Sequence, residues 1–172
     1  MRILFNQNQI KQRILTLGEE ISQTHKNDDI PVVFVCLLTG GFMFFADLVK
    51  TIAGVDIECD FMKVKSYESQ FKQGDVKLLK DLDTPVKGKH VYIVDDILDT
   101  GNTVKAVVEY LQTKQPVTLN IVTLIKRKGS VNSIEKVQST RYGFLIDTEW
   151  IVGYGCNDER GYYRNLNGVF AL

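Results

Sequence analysis

Cysteine is scarce. Cys36, Cys59 and Cys156 are the only three among 172 residues, and no two of them form a C-x-x-C pair. An odd, widely spaced set offers neither a disulfide framework nor a zinc cage, which favours a reducing compartment. Cys36 stands inside an apolar run and reads as a small buried hydrophobe. Proline occurs three times, and no low-complexity segment interrupts the sequence. An excess of either charge is also missing, since Lys plus Arg and Asp plus Glu both count 21. That balance argues against a constitutively basic nucleic-acid binder. No apolar stretch approaches the roughly 20 residues of a membrane-spanning helix. Ile3–Phe5 is too short for the apolar core of a signal peptide before the polar Asn6–Gln9. The expectation is a cytoplasmic protein with no membrane partner and no nucleic-acid partner.

What is present is ordinary globular composition, with 44% hydrophobic and 24% charged residues. The length suits one domain over residues 1–172. Ile10, Ile14, Leu17 and Ile21 recur at helical spacing and predict an amphipathic helix within the first 25 residues. Val32–Leu38 is continuously apolar, as in a parallel strand buried on both faces. Thr39-Gly40-Gly41 ends it, and Phe42–Ile52 reads as a helix. Asp56–Tyr67 contains an extended segment. Glu68–Lys89 is polar, and Leu78 and Leu79 are too few to anchor it. Val91–Val94 predicts the next buried strand, Thr100–Thr103 a turn, and Val104, Val107, Val108 and Leu111 a helix stripe. Val117–Ile125, Tyr142–Ile146 and Trp150–Tyr154 predict further strands. Strand–helix alternation of this kind implies an α/β fold built on a parallel sheet.

Ligands of such sheets bind beyond the carboxyl ends of the strands. Three polar clusters fall there: Thr39-Gly40-Gly41, Asp95–Thr103 and Lys126-Arg127-Lys128. Paired carboxylates such as Asp95 and Asp96 suit sugar hydroxyls or a hydrated divalent cation, because hard cations choose oxygen ligands. Asp99-Thr100-Gly101-Asn102-Thr103 then supplies hydroxyls and backbone N–H groups at a helix start, which is phosphate-binding chemistry. A plain N-cap accounts for one Asp or Thr. It does not account for three acids and two threonines around a glycine. Asp95-Asp96-Ile97-Leu98-Asp99 also matches the D-D-x-x-D motif of isoprenyl diphosphate synthases, but those are all-helical and this segment follows a β-branched strand.

The stretch Val91–Thr103 resembles the phosphoribosyl-diphosphate (PRPP) motif of type I phosphoribosyltransferases. Leu38-Thr39-Gly40-Gly41-Phe42, Phe44–Leu48, Asp60-Phe61, Lys65-Ser66-Tyr67, Leu124–Arg127, Val152-Gly153-Tyr154 and Tyr163–Leu166 extend the resemblance to its purine salvage branch, the hypoxanthine(-guanine) phosphoribosyltransferases. Together they cover about residues 30–170. The resemblance implies an open, mainly parallel Rossmann-like sheet flanked by helices, with a small hood and a mobile active-site loop. It implies phosphoribosyl transfer from PRPP to hypoxanthine or guanine, with Mg2+ as cofactor and a homodimer or homotetramer as the assembly.

It also implies residue roles. Asp95 and Asp96 would hold the ribose hydroxyls, directly or through magnesium, and Asp99 would be the acid/base facing the purine N7. Thr100, Gly101, Asn102 and Thr103 would cradle the 5-phosphate. Thr39-Gly40, with a cis peptide there, and Arg164 would bind pyrophosphate. Lys126 would donate to the 6-oxo group, Trp150 would stack on the base, and Ile151 would meet it through its backbone. Ser66 and Tyr67 would begin a lid spanning about Ser66–Leu82. The family's second metal-site aspartate falls where Asn157 and Asp158 stand side by side, and carboxylate chemistry favours Asp158. Other readings stand beside these: Asp99 as a helix cap, Trp150 as core, Lys126 and Arg164 as surface charges. A nucleotide-sensing regulator of the same fold that binds RNA is the alternative function.

Overall fold

Two periodicities in the sequence become two kinds of element in the computed structural model, which describes residues 1–66, 76–130 and 134–172. The period near 3.6 gives α1 (Gln7–His25), whose buried stripe is Ile10, Ile14, Leu17 and Ile21. Its start is fixed by a capping box: the Asn6 side chain accepts from Gln9 N, and the Gln9 side chain accepts from Asn6 N. The continuous apolar run gives β2 (Val32–Leu38), buried from Val32 to Leu37. Both faces of β2 are covered. Val32, Phe34 and Cys36 pack with α1 and with α2 (Phe42–Val49), and Val33, Val35 and Leu37 pack with α3 (Asn102–Gln112). This double cover is why the run does not alternate with polar residues.

Six strands form the main sheet, in the order β4-β3-β2-β5-β6-β7. They are β3 (Ile57–Ser66), β4 (Val76–Lys80), β5 (His90–Leu98), β6 (Thr118–Arg127) and β7 (Ser139–Ile146) beside β2. All neighbours are parallel except β3 and β4. The chain leaves β2 through α2 to reach β3 on one side, and leaves β5 through α3 to reach β6 on the other. The strand order therefore reverses between β2 and β5, which pair directly. A crevice opens at such a switch point, beyond the carboxyl ends. A second, three-stranded sheet, β1-β9-β8, joins β1 (Arg2–Phe5), β9 (Val169–Ala171) and β8 (Ile151–Val152).

The polar stretch after Ser66 holds more structure than its composition predicts. Val76–Lys80 is an antiparallel edge strand, with Leu78 opposite Val64 and packed on the α3 side of the core. Leu79 is half exposed, and lysines flank the pair, a pattern that suits a sheet edge. Asp60 organises the connection that follows. It is 3% exposed and accepts hydrogen bonds from the N–H groups of Phe61 (2.6 Å), Asp83 (2.8 Å) and Thr84 (2.6 Å). Burial alone would raise its carboxyl, but the N–H groups of Thr84, Phe61 and Asp83 hold it below the ordinary carboxylate value.

A depressed folded-state value stabilises the protein above the unfolded value of about 3.9, and the contribution is lost as pH falls through the folded value. Asp60→Ala is expected to lower the unfolding free energy at pH 7 by about 3 kcal/mol, because buried N–H groups lose their acceptor. Urea midpoints at pH 7 and pH 3 check this, and the gap between wild type and Asp60→Ala should shrink in acid. An equal gap at both values would remove the carboxylate from the explanation.

Candidate active site

Two strand ends that lie far apart in sequence meet at the switch point. β5 runs further than its apolar core predicts, through Asp95, Asp96 and Ile97 to Leu98, with Asp95 opposite Thr123 and Leu98 opposite Lys126. The paired acids thus sit within the last residues of a strand rather than in the loop beyond it. Asp96 N donates to Asp95 Oδ1 and Ile97 N donates to Asp96 Oδ1, both at 2.9 Å. Burial, and then the charge of Asp96, pushes the Asp95 carboxyl well above its usual range. Two acids forced together in this way suit a cation or hydroxyl donors.

The end of β2 faces them. A side chain at Gly40 would meet Asp96 Oδ2 at 2.2 Å, so only glycine lets the turn approach the carboxylate this closely. The cis peptide lies between Leu38 and Thr39. On the far side, Gly155 (φ +101°) would place a Cβ 2.1 Å from the Gly40 carbonyl oxygen. Arg164 donates through Nη1 to the Gly155 carbonyl, and Gly155 N donates back to the Arg164 carbonyl at 2.9 Å. Gly40, Asp96, Gly155 and Arg164 are therefore close neighbours in sequence-distant pairs. Cys156, buried near Asp96, has its thiol raised well above the usual value by burial and then by that charge. Neither Gly155 nor Cys156 carried a sequence signal, because no local pattern links them to residues 40 and 96.

Residues 95–101, with Thr103 and Val104, line a cavity of about 200 Å3. Its floor is the start of α3. The cap residue is Gly101, left-handed at φ +81°, with no side-chain cap and no acidic residue in the first turn. First-turn N–H groups of a helix without such a cap are left for an anion. Asn102 N donates to Thr100 Oγ1 at 3.4 Å. The capping reading of Asp99 fails here. Its carboxylate instead accepts from Arg127 Nε at 3.1 Å. Arg127 also donates through Nη1 to the carbonyls of Asp147 (3.0 Å) and Glu149 (2.9 Å). It thereby ties Asp99 to the loop that carries Trp150, a linkage that the basic run Lys126-Arg127-Lys128 does not reveal.

Trp150 is 59% exposed, so the core reading of the single tryptophan fails as well. Ile151 is buried in β8 opposite Ala171. Lys126, the last residue but one of β6, has its ammonium 5.4 Å from the Tyr142 ring centroid. Asp158 is heavily engaged. Its Oδ1 accepts from Arg160 N and Tyr162 N, and its Oδ2 accepts from Arg160 Nε and Nη2, at 2.9–3.0 Å. Ser66 closes β3, Tyr67 lies outside the described residues, and the later part of the expected lid is β4. At the opposite end of the sheet, His25, Asp28 and His90 bring ligand atoms within 4.8 Å of one another, a potential metal-binding triad. No helix among the described residues is long and apolar enough to cross a membrane.

Comparison with known proteins agrees with this architecture. The family model described as phosphoribosyl transferase domain matches residues 3–159. The hypoxanthine phosphoribosyltransferase of Escherichia coli K12 is 41% identical over 169 residues, covering 96% of this chain and 92% of that protein. A crystal structure of a hypoxanthine-guanine phosphoribosyltransferase from Bacillus anthracis, with a HEPES molecule in its active site, superposes with a TM-score of 0.89. It is 31% identical and covers 100% of this chain and 98% of that one. The Trypanosoma cruzi hypoxanthine phosphoribosyltransferase in complex with its product IMP also superposes at 0.89, with 29% identity over 99% of this chain and 93% of that one.

Proposed function

Because the chain belongs to the phosphoribosyltransferase family, we propose that it is a purine salvage enzyme that moves the 5-phosphoribosyl group of PRPP onto hypoxanthine or guanine. The products are IMP or GMP and pyrophosphate. The observation that supports this reading is the gathering of residues 95–101, Thr103 and Val104 around one cavity, with Gly40 against Asp96 and Arg164 bonded to Gly155 beyond it. On this reading sugar, phosphate and pyrophosphate binders would stand around one point.

In this reading Thr100, Gly101, Asn102 and Thr103 hold the 5-phosphate at the start of α3, and Asp95 and Asp96 hold the ribose hydroxyls. The bond from the ribose anomeric carbon to pyrophosphate breaks as a bond to the base nitrogen forms, through an oxocarbenium-like transition state. Thr39-Gly40 and Arg164 stabilise the charge growing on pyrophosphate. Lys126 fixes the 6-oxo group, Trp150 stacks on the purine, Ile151 offers its backbone, and Asp99 manages the imidazole proton at N7. Ser66 and Tyr67 begin the loop that excludes water. The enzyme acts in the cytoplasm as a homodimer or homotetramer and needs no nucleic-acid partner.

The adjacent carboxylates of Asp95 and Asp96 fit a hard divalent cation, whereas a metal at Asp158 must first displace Arg160. Magnesium, when bound, neutralises charge on the diphosphate of PRPP. Chelation is expected to abolish turnover and added Mg2+ to restore it. Asp158→Ala should raise the Mg2+ concentration for half-maximal rate more than Asn157→Ala does. The reverse order would move the second metal-site role to Asn157.

Steady-state kinetics with PRPP and each of adenine, guanine, hypoxanthine and xanthine tests the whole reading. Nucleotide should form from the 6-oxo bases. Nucleotide from none of the four, together with salt-sensitive binding of RNA, would replace the enzyme with a regulator.

A further inference from the structure

The sequence holds two histidines, His25 and His90, and the fold places them side by side with ring centroids 4.7 Å apart. His25 closes α1 and His90 opens β5. The acids of the catalytic end lie five residues along the same strand, roughly 16 Å away. This cluster therefore belongs to the opposite end of the sheet. Both rings are buried, at 5% and 6% exposure. Asp28, from the turn after α1, reaches them with a side chain that is one-third accessible.

The hydrogen bonds divide the ring nitrogens into two kinds. His25 Nε2 lies 2.9 Å from the Tyr92 hydroxyl, and His90 Nδ1 lies 2.7 Å from Thr118 Oγ1. Each histidine thus has one nitrogen held by a hydroxyl. The nitrogens left over are His25 Nδ1, which is buried with no hydrogen-bond partner, and His90 Nε2, which meets Asp28 Oδ2 at 2.8 Å. A metal-binding histidine characteristically has its second nitrogen fixed by an outer hydrogen bond, which orients the ring and sets the tautomer. Two imidazoles and a carboxylate are also the donor set of zinc-type ions. They do not suit magnesium, which takes oxygen ligands and keeps its waters.

We propose that His25, His90 and Asp28 form a binding site for one divalent transition cation of the zinc class, separate from the catalytic end. Zinc bonds of about 2.0–2.2 Å require the donor atoms to draw closer than their present 4.8 Å limit. Asp28 is on an exposed turn, so it can open its contact with His90 and admit the ion between them. Water completes the shell on its solvent side. Arg141 is the opposing charge. It bonds to Thr24 and Ser139, and Glu20 lies 3.8 Å from it as partial compensation. A bound cation would clamp the end of α1 and its following turn to the start of β5.

The test uses the full chain titrated with Zn2+, and with Co2+ as a spectroscopic substitute. One equivalent should bind, and the ring resonances of both histidines should move together. At a hundredfold excess of free Zn2+ over Kd the melting temperature should rise by about 5–10 °C. His25→Gln risks misfolding because the ring is buried, so Asp28→Asn carries the comparison. It should weaken binding at least tenfold while leaving PRPP-dependent turnover intact. Histidine resonances that stay put under saturating Zn2+, or equal affinity in Asp28→Asn, would overturn the site. A thiolate charge-transfer band with Co2+ and unmoved histidines would likewise overturn it, by placing the metal on cysteine.

Discussion

Asp99→Asn should lower kcat by about 10²–10⁴-fold while KM for PRPP stays within a few-fold of wild type. The substitution keeps the size of the side chain, and its amide oxygen can still accept the Arg127 Nε–H that now meets Asp99 Oδ1 at 3.1 Å. What it loses is the capacity to take up and return a proton. Helix α3 is capped by Gly101 rather than by Asp99, so the variant should melt close to wild type. Chemistry and folding are thereby separated in one protein. Arg127→Ala gives the complementary result. It frees Asp99 and the carbonyls of Asp147 and Glu149 together, so it should raise KM for the base as well as lower kcat. An unchanged kcat in Asp99→Asn would leave that carboxylate with only its ion pair to Arg127.

Buried strands and amphipathic helices were legible because their signals are local. Val32–Leu38 matches its strand, and the Ile10, Ile14, Leu17, Ile21 stripe is the buried face of α1. The two ends of the chain were not legible. β1 and β9 are short strands that pair across the whole length of the sequence, Arg2 with Ala171, and β9 pairs again with β8, so no window of sequence contains the contacts that stabilise them. β4 was missed for a related reason. Its composition is polar because it is an edge, and only the contact of Leu78 with the α3 side of the core makes it a strand. β5 extends past its apolar core because Asp95 and Ile97 pair with Thr123 and Ile125, and backbone hydrogen bonds are indifferent to side-chain charge.

The same distinction holds at the candidate site. The acidic segment and the turn before α3 are contiguous and could be read directly. The closeness of Gly40 to Asp96, of Gly155 to Gly40, and of Arg127 to Asp99 depends on the sheet order. Trp150 and Asp99 each had a structural reading open in the sequence, as core and as cap. Exposure of the one and the left-handed Gly101 cap beyond the other remove those readings.

Hypoxanthine and guanine should be used at rates at least about 10²-fold above adenine in kcat/KM, and the discrimination should depend on Lys126. A lysine ammonium has three donors and no acceptor. It satisfies a 6-oxo oxygen but cannot accept from a 6-amino group. The backbone fixes where this side chain starts, because Lys126 pairs with Leu145 on one side and on the other with Leu98, the residue before Asp99. Adenine would press its amino N–H groups against that ammonium, and both sides would lose their partners in a partly desolvated pocket. A hydrogen bond to a charged group is worth about 1.5–3 kcal/mol, so the lost contact alone gives roughly 10- to 150-fold. Groups left unpaired add to it, and sites built for a polar contact reject analogues by about 10⁴ or more. Lys126→Ala should therefore depress oxo-purine use and narrow the gap to adenine, with KM for PRPP changing less. The KM split matters, since general damage to the site would raise both. Wild-type protein that used adenine as well as hypoxanthine would sink the role of Lys126 and the choice of base together, while leaving the proposal of PRPP binding at Asp95–Thr103 untouched.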